Sequence, residues 1–271
     1  MNDRDQTAGP IILLPEVDDP SIAAFLKEYE LKSPGDYSIR AEKLDLVEAA
    51  DLLNRGEVDA VIVGATYPSK QVFLTAIKQI GAPNKDASSF FVMEKAGQPT
   101  LFLADCAVNP DPGTDLLVRI AEQTATNAQK LGQTPIVAFL SYSTVGSAGG
   151  PSVEKVQAAV AKFKQLHPET VTYGELQWDA ATDEAVYKKK NNGQGYQDGK
   201  QPNVLIFPNL DAGNIGYKIL ERQGGYTAIG PLTQGLVNDA NFHDLSRGVS
   251  PQALEKICQT VAKLAQTSKH E

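Results

Sequence analysis

Cysteine is almost absent from the chain: the two residues in 271, Cys106 and Cys258, stand far apart with no paired spacing. That excludes a disulfide framework and a cysteine-based zinc site, and leaves two reduced thiols of the kind proteins usually bury. Long apolar runs are missing too, since none approaches the roughly 20 residues needed to span a bilayer. The stretch from Met1 to Gly9 is polar and acidic, unlike the basic then apolar order of a signal peptide, so the expected location is the cytoplasm with no membrane partner. Positive charge is also scarce. The 25 basic against 33 acidic side chains give a net charge of −8, and the pI is near 5.0. This argues against a general polyanion-binding surface and so against nucleic acid as a partner. An anion such as phosphate would need a local pocket.

The chain has ample material for a core, with 42% hydrophobic residues over a length that fits one large or two small domains. Short β-branched or aromatic runs predict strands at Ile11–Leu14, Val58–Val63, Ser89–Met93, Thr100–Leu103, Ile136–Leu140, Val204–Phe207 and Tyr226–Ile229. Helical periodicity lies between them. Leu44–Arg55 carries Leu46, Ala49, Ala50 and Leu53 on one face before Gly56, and a helix after Thr114 presents Leu117, Ile120, Ala121, Thr124, Ala128 and Leu131. The alternation predicts an α/β fold with mostly parallel sheets. A last helix has Ser250 as its N-cap and Pro251 at its first position, which puts Ala253 at the third. The polar stretch Lys188 to Pro202, with Asn191-Asn192-Gly193 and Asp198-Gly199, reads as a surface loop whose lysines form a solvated face.

Three loops carry chemistry. Ser141 to Gly150 is a hydroxyl- and glycine-rich turn between an expected strand and a helix, where backbone N–H groups, hydroxyls and the helix dipole can hold an anion. A simple capped turn has the same pattern. Pro208, Gly213 and Asn214 follow the strand Val204–Phe207, at the carboxyl end where open α/β sheets bind ligands. Asp244-Leu245-Ser246-Arg247-Gly248 offers a guanidinium able to grip phosphate oxygens bidentately beside a hydroxyl, although a surface Arg–Asp pair looks alike.

Phe207 to Lys218 and Asp244 to Gly248 together resemble the signature of phosphotransacetylases, enzymes that move an acyl group between coenzyme A and phosphate. Phe102 to Pro112, Gly174 to Ala181 and Gly230 to Leu236 resemble further segments of that family, in family order, so the resemblance runs from about Gly56 to Thr267. It implies a two-domain α/β/α sandwich similar to isocitrate and isopropylmalate dehydrogenases. Residues 86–235 would form the middle domain and residues 1–85 with 236–271 a discontinuous, shortened one, with the site in the cleft between them and a homodimer as the usual assembly. A dehydrogenase activity is not expected, because the Gly-x-Gly-x-x-Gly fingerprint is missing.

The resemblance implies catalytic roles for Ser246 and Arg247, and substrate contacts from Ser143, Thr144, Gly146, Ser147, Gly213, Asn214, Lys218, Gln234 and Asp244. Acyl-CoA, acyl phosphate and inorganic phosphate are the implied partners. Coenzyme A enters as a substrate, no cofactor is held permanently, and the implied chemistry requires no metal. The departures fall on reactive positions: Ala253 stands where the family has an aspartate base, Leu74 where it has an arginine, and Tyr67 where it has a histidine. His243, where asparagine is common in the family, is a candidate replacement base, since an imidazole pKa near 6.5 suits that task. The expected function is acyl transfer of the phosphate acetyl- or butyryltransferase type. The alternative is a non-catalytic relative that binds acyl phosphate, phosphate or coenzyme A.

Overall fold

The computed structural model describes residues 9–30, 35–83, 86–191, 195–245 and 249–267. The chain divides into two compact units, Met1–Ala87 with Ile229–Glu271, and Ser88–Ala228.

The first unit holds β1 (Ile11–Leu14), α1 (Pro20–Glu30), β2 (Ser38–Ala41), α2 (Leu46–Asn54), β3 (Ala60–Val63) and α3 (Ser69–Gln79), then β10 (Asn241–Asp244) and α9 (Pro251–Thr267) where the chain returns. Its four strands run parallel in the order β10-β3-β1-β2, with Ile11 opposite Ser38, Ile12 opposite Ala60 and Asp244 opposite Val63. All four residues of β3, Ala-Val-Ile-Val, are buried, as a strand covered on both faces requires. Leu13, Val61, Val63 and Phe242 pack with Leu46, Ala49, Val72 and Ala76 to form the core. The helix expected from Leu44 starts two residues later, because Asp45 caps it. Its carboxylate accepts the N–H groups of Val47 at 2.8 Å and Glu48 at 2.9 Å, while Glu48 accepts that of Asp45 at 2.9 Å. In α9, Ser250 Oγ accepts the Ala253 N–H at 3.2 Å, as its N-cap position predicts.

The second unit contains β4 (Ser88–Glu94), β5 (Leu101–Ala104), α4 (Thr114–Lys130), β6 (Val137–Leu140), α5 (Pro151–Leu166), β7 (Thr172–Leu176), α6 (Trp178–Thr182), α7 (Glu184–Lys190), β8 (Val204–Ile206) and α8 (Leu210–Arg222). Its sheet has the order β7-β6-β8-β5-β4-β9, where β9 is Thr227–Gln234. The β4–β5 pair is antiparallel, whereas β5–β8, β8–β6 and β6–β7 are parallel. The antiparallel turn leaves β5, β8 and β6 delivering their carboxyl ends side by side. Leu103, Ala138, Leu140 and Leu205 of these strands share a core with Phe91, Tyr173 and Phe207.

The lysine run departs from expectation. Lys188, Lys189 and Lys190 form the last turn of α7 rather than the start of a loop, where cations suit the helix dipole. Lys188 pairs with Glu184 at 2.6 Å and Asp198 at 2.8 Å, and Lys190 with Asp179 at 2.7 Å. Both cysteines are buried and unbridged. Among the described residues, no helix is long and apolar enough to cross a membrane.

Candidate active site

In the first unit, β10 delivers the Asp244 segment at the carboxyl end of the parallel sheet. Asp244 lies opposite Val63 in register, and the Leu245 N–H donates to Val63 O at 2.6 Å. Ser246 and Arg247, the expected catalytic pair, lie outside the described residues. Beside Asp244 and Leu245 the chain leaves β3 at Gly64, whose φ of +109° and close approach to Asp244 Oδ1 and the Leu245 backbone leave no room for a Cβ. The next residues, Ala65 to Tyr67, wrap their N–H groups around the buried carboxylate of Glu16.

His243 is 1% exposed on β10. Its Nδ1 accepts the Thr233 N–H at 3.1 Å and its Nε2 lies 3.3 Å from Asn241 Oδ1, so Nε2 carries the proton. Burial pushes its pKa down to about 3, and the ring is neutral at physiological pH. Asp244 and Gln234, at the ends of β10 and β9, are buried as well. Ala253 is half-buried in the first turn of α9, and Tyr67 packs against the core. Leu74 is exposed on α3, in a shallow groove it shares with Pro68, Lys70 and Lys78.

In the second unit the turn after β6 is organised by Glu175 of β7. Glu175 Oε1 accepts the Ser143 hydroxyl at 2.8 Å and the Gly146 N–H at 2.7 Å. Burial opposes ionisation of this carboxyl, yet the bonds from Gly146 and Ser143 more than offset it and hold it below the usual carboxylate range. The Thr144 hydroxyl donates to Gln177 Oε1 at 3.1 Å, and Ser147 Oγ accepts the Thr144 N–H at 2.9 Å. The donors of Ser143 and Gly146, expected to face an anion, are therefore turned inward, while Ser147 is exposed.

The turn after β5 is built alike. The buried Asp105 accepts the N–H groups of Ala107 at 3.0 Å, Val108 at 3.2 Å and Asn109 at 2.8 Å, and the Ser89 hydroxyl at 2.5 Å. Gly213 lets α8 pass so close to Asp105 O that a Cβ would collide with it. Asn214 Nδ2 donates to Cys106 O at 3.1 Å, and Lys218 Nζ donates to Asn214 Oδ1. Lys155 of α5 ties these turns together, donating to Asp111 Oδ1 at 2.6 Å and Pro208 O at 3.0 Å. Ser143 and Gly146 thus gather on Glu175, Thr144 bonds Gln177 and Ser147, and Gly213, Asn214 and Lys218 lie at the turn after β5.

Sequence reasoning missed Glu16, Asp105, Glu175 and Lys155. Their only signal is a charged residue beside a buried strand or early in a helix. Among the described residues, no group of three or more His, Cys, Asp and Glu is placed to hold a metal ion.

Two α/β units with mainly parallel strands and loops at the strand carboxyl ends make up the fold that phosphotransacetylase structures share. The chain belongs to the phosphate acetyl/butaryl transferase family, whose model matches residues 38–263. It is 42% identical over 223 residues to the phosphate acetyltransferase of Thermoanaerobacterium thermosaccharolyticum, covering 79% of this chain and 67% of that protein. It is 43% identical over 205 residues to the phosphate acetyltransferase of Mycoplasma pneumoniae, covering 74% of this chain and 62% of the relative, so it spans less than two thirds of that protein's length. Among solved structures, the EutD phosphotransacetylase from Staphylococcus aureus superposes with a TM-score of 0.80 at 28% identity, covering 96% of this chain and 94% of that one. A 4-hydroxythreonine-4-phosphate dehydrogenase from Klebsiella pneumoniae, with a TM-score of 0.55 at 10% identity, shares the fold alone.

Proposed function

We propose that the chain transfers a short acyl group between coenzyme A and phosphate. The observation that carries this reading is the parallel pairing of Asp244 with Val63, which brings the first residue of the family-like Asp244–Gly248 sequence to the carboxyl end of the sheet. In the acyl phosphate direction, the sulfur of coenzyme A attacks the acyl carbonyl and loses its proton to a base. The tetrahedral oxyanion then collapses, the bond from carbonyl carbon to phosphate oxygen breaks, and phosphate leaves. Arg247 grips the phosphate oxygens, and Ser246 donates to the oxyanion. Ser147, the exposed hydroxyl of the turn, is assigned to the phosphoryl end, whereas both donors of the buried Thr144 are taken by Gln177 and Ser147. Gly213, Asn214, Lys218, Gln234 and Asp244 are assigned as further substrate contacts on the strength of the family match.

The proton acceptor is the weak point of this site. A thiol with a pKa near 8.5 is mostly protonated at neutral pH, and a positioned base contributes roughly 10²–10⁴ in rate. Ala253 supplies none, and burial of His243 argues against its service as one. The expected enzyme is therefore slow, with thiolate drawn from solution. These two residues favour a second reading, in which the chain binds acyl phosphate, phosphate or coenzyme A without turnover.

Phosphate-dependent release of coenzyme A from acetyl-, propionyl- and butyryl-CoA by purified protein separates the two, and it also tests whether the butyryl group is accepted. Turnover above the uncatalysed rate supports transfer, whereas saturable binding without turnover supports the second reading. Cytoplasmic location and a homodimer belong to the same proposal, and light scattering of the purified chain tests the dimer.

A further inference from the structure

Five donors converge on Glu16, a residue that the reading above leaves without a role. Oε2 accepts the N–H groups of Gly64 at 2.5 Å and Ala65 at 2.9 Å. Oε1 accepts those of Thr66 at 2.7 Å and Tyr67 at 3.3 Å, and the Thr66 hydroxyl as well. Successive N–H groups turned on one point form the concavity that many proteins offer to an external anion. Here the chain fills it with its own carboxylate, which follows β1 and is 7% exposed. The loop so held begins against Asp244 and Leu245 and ends at the entry of α3. Without an acceptor its inward N–H groups would have to turn toward water, shifting Tyr67 and the first turn of α3.

We propose that Glu16 is a positioning residue for acyl transfer, holding the Gly64–Tyr67 loop in its working shape against Asp244 and Leu245, the residues that precede Ser246 and Arg247 in sequence. The proposal rests on the acyl-transfer reading above. Glu16 acts through the loop and touches no substrate.

Glu16→Gln tests this at constant side-chain length. Whichever way the amide turns, its NH₂ group meets at least two backbone N–H groups it cannot accept. Leu52→Ala, in the buried face of α2, is the control for plain destabilisation. Loss of folded protein lowers kcat but leaves KM unchanged. We expect Glu16→Gln to raise KM for acetyl-CoA or phosphate roughly 10-fold, within the 10²-fold that about 1 Å of misplacement costs. It should also speed amide exchange at Gly64 to Tyr67, while Leu52→Ala leaves both KM values unchanged. Unchanged KM values in Glu16→Gln, with a kcat loss matching the control, overturn the proposal. If the wild type binds coenzyme A or phosphate but turns nothing over, acyl transfer has failed and the calorimetric affinities decide. Roughly 10-fold weakening in Glu16→Gln then keeps the positioning role for binding, and unchanged affinity removes it. A wild type that binds neither ligand overturns both readings. Should Glu16→Gln not fold, Thr66→Val removes one of the five donors, and a KM rise of about twofold to threefold replaces the larger one, by the same geometric argument. An unchanged KM in that variant also overturns the proposal.

Discussion

The Ser143 hydroxyl donates to Glu175 Oε1 at 2.8 Å, with both side chains buried, and this contact shapes the glycine-rich turn from within. Ser143→Ala removes a hydrogen bond to a charged acceptor and should cost about 1–3 kcal/mol of stability. Because that hydroxyl is already engaged, phosphate affinity should stay within about twofold, against the larger loss expected for a charge-assisted contact. Urea unfolding and calorimetry of the same preparation test both halves. A several-fold loss of affinity at unchanged stability would show that Ser143 turns outward to meet the ligand.

His243 supplies a pH signature. Its folded pKa of about 3 lies below its ordinary value of 6.5, so between these values the unfolded chain binds a proton that the folded chain does not. Stability from this group is complete above about 6.5 and falls as pH drops toward 3, with a slope of up to about 1.4 kcal/mol per unit. The depressed carboxyl of Glu175 adds a second loss, which begins as pH falls below its ordinary 4.5. His243→Asn should flatten the first window in urea unfolding at pH 7.5, 6, 5 and 4. Any acyl-transfer activity should remain within about threefold, since a ring that is neutral, buried and bonded at both nitrogens is poorly placed to take a substrate proton. Loss of most activity in that variant would return the role of base to His243.

The strands that sequence revealed are those with continuous apolar runs. Ala60–Val63 and Val204–Ile206 announce burial on both faces, and their ends shift from expectation by at most two residues. β10 escaped detection because Asn241, His243 and Asp244 are polar yet buried, their burial fixed by bonds and neighbours that local sequence does not reveal. β2 escaped because Ser38–Ala41 is an edge strand with no buried residue. The site divides along the same line. The hydroxyls of Ser143 to Ser147 are legible, but their organiser, Glu175, lies 32 positions from Ser143 and 29 from Gly146. Glu16 is 48 positions from the first N–H it accepts. Carboxylates that satisfy distant turns read locally as solvated charge, which is why Glu16 and Glu175 went unassigned.

Arg247 is the expected phosphate anchor, as the permanently charged donor of the Asp244–Gly248 segment that resembles the family signature. Arg247→Ala should weaken phosphate and acetyl phosphate binding at least several-fold by calorimetry, in line with the loss of a bidentate, charge-assisted pair. Arg247→Lys should recover only part of the affinity, because an ammonium lacks the planar fork. Affinity within about twofold of wild type in Arg247→Ala would remove the assignment.

Restoring the carboxylate at position 253 should raise activity. Ala253 sits in the first turn of α9, its N–H bonded to Ser250 Oγ at 3.2 Å, so an introduced aspartate would enjoy the helix dipole while Ser250 still caps the helix. Stability should hold or rise by roughly 0.3–1 kcal/mol. If the missing base limits transfer, Ala253→Asp should raise kcat toward a short acyl-CoA about 10-fold or more, the lower part of the range for general-base catalysis. The gain should be largest below about pH 8, where a free thiol near pKa 8.5 remains protonated, and should shrink above about pH 9, where solution thiolate no longer limits. A uniform gain at every pH would point to substrate orientation instead. If wild type and Ala253→Asp bind coenzyme A equally and neither turns over, loss of the base is not the sole defect. The apolar Leu74, exposed where the family resemblance implies an arginine, then becomes the next position to change, and the binding reading prevails if Leu74→Arg in the Ala253→Asp background is also inactive.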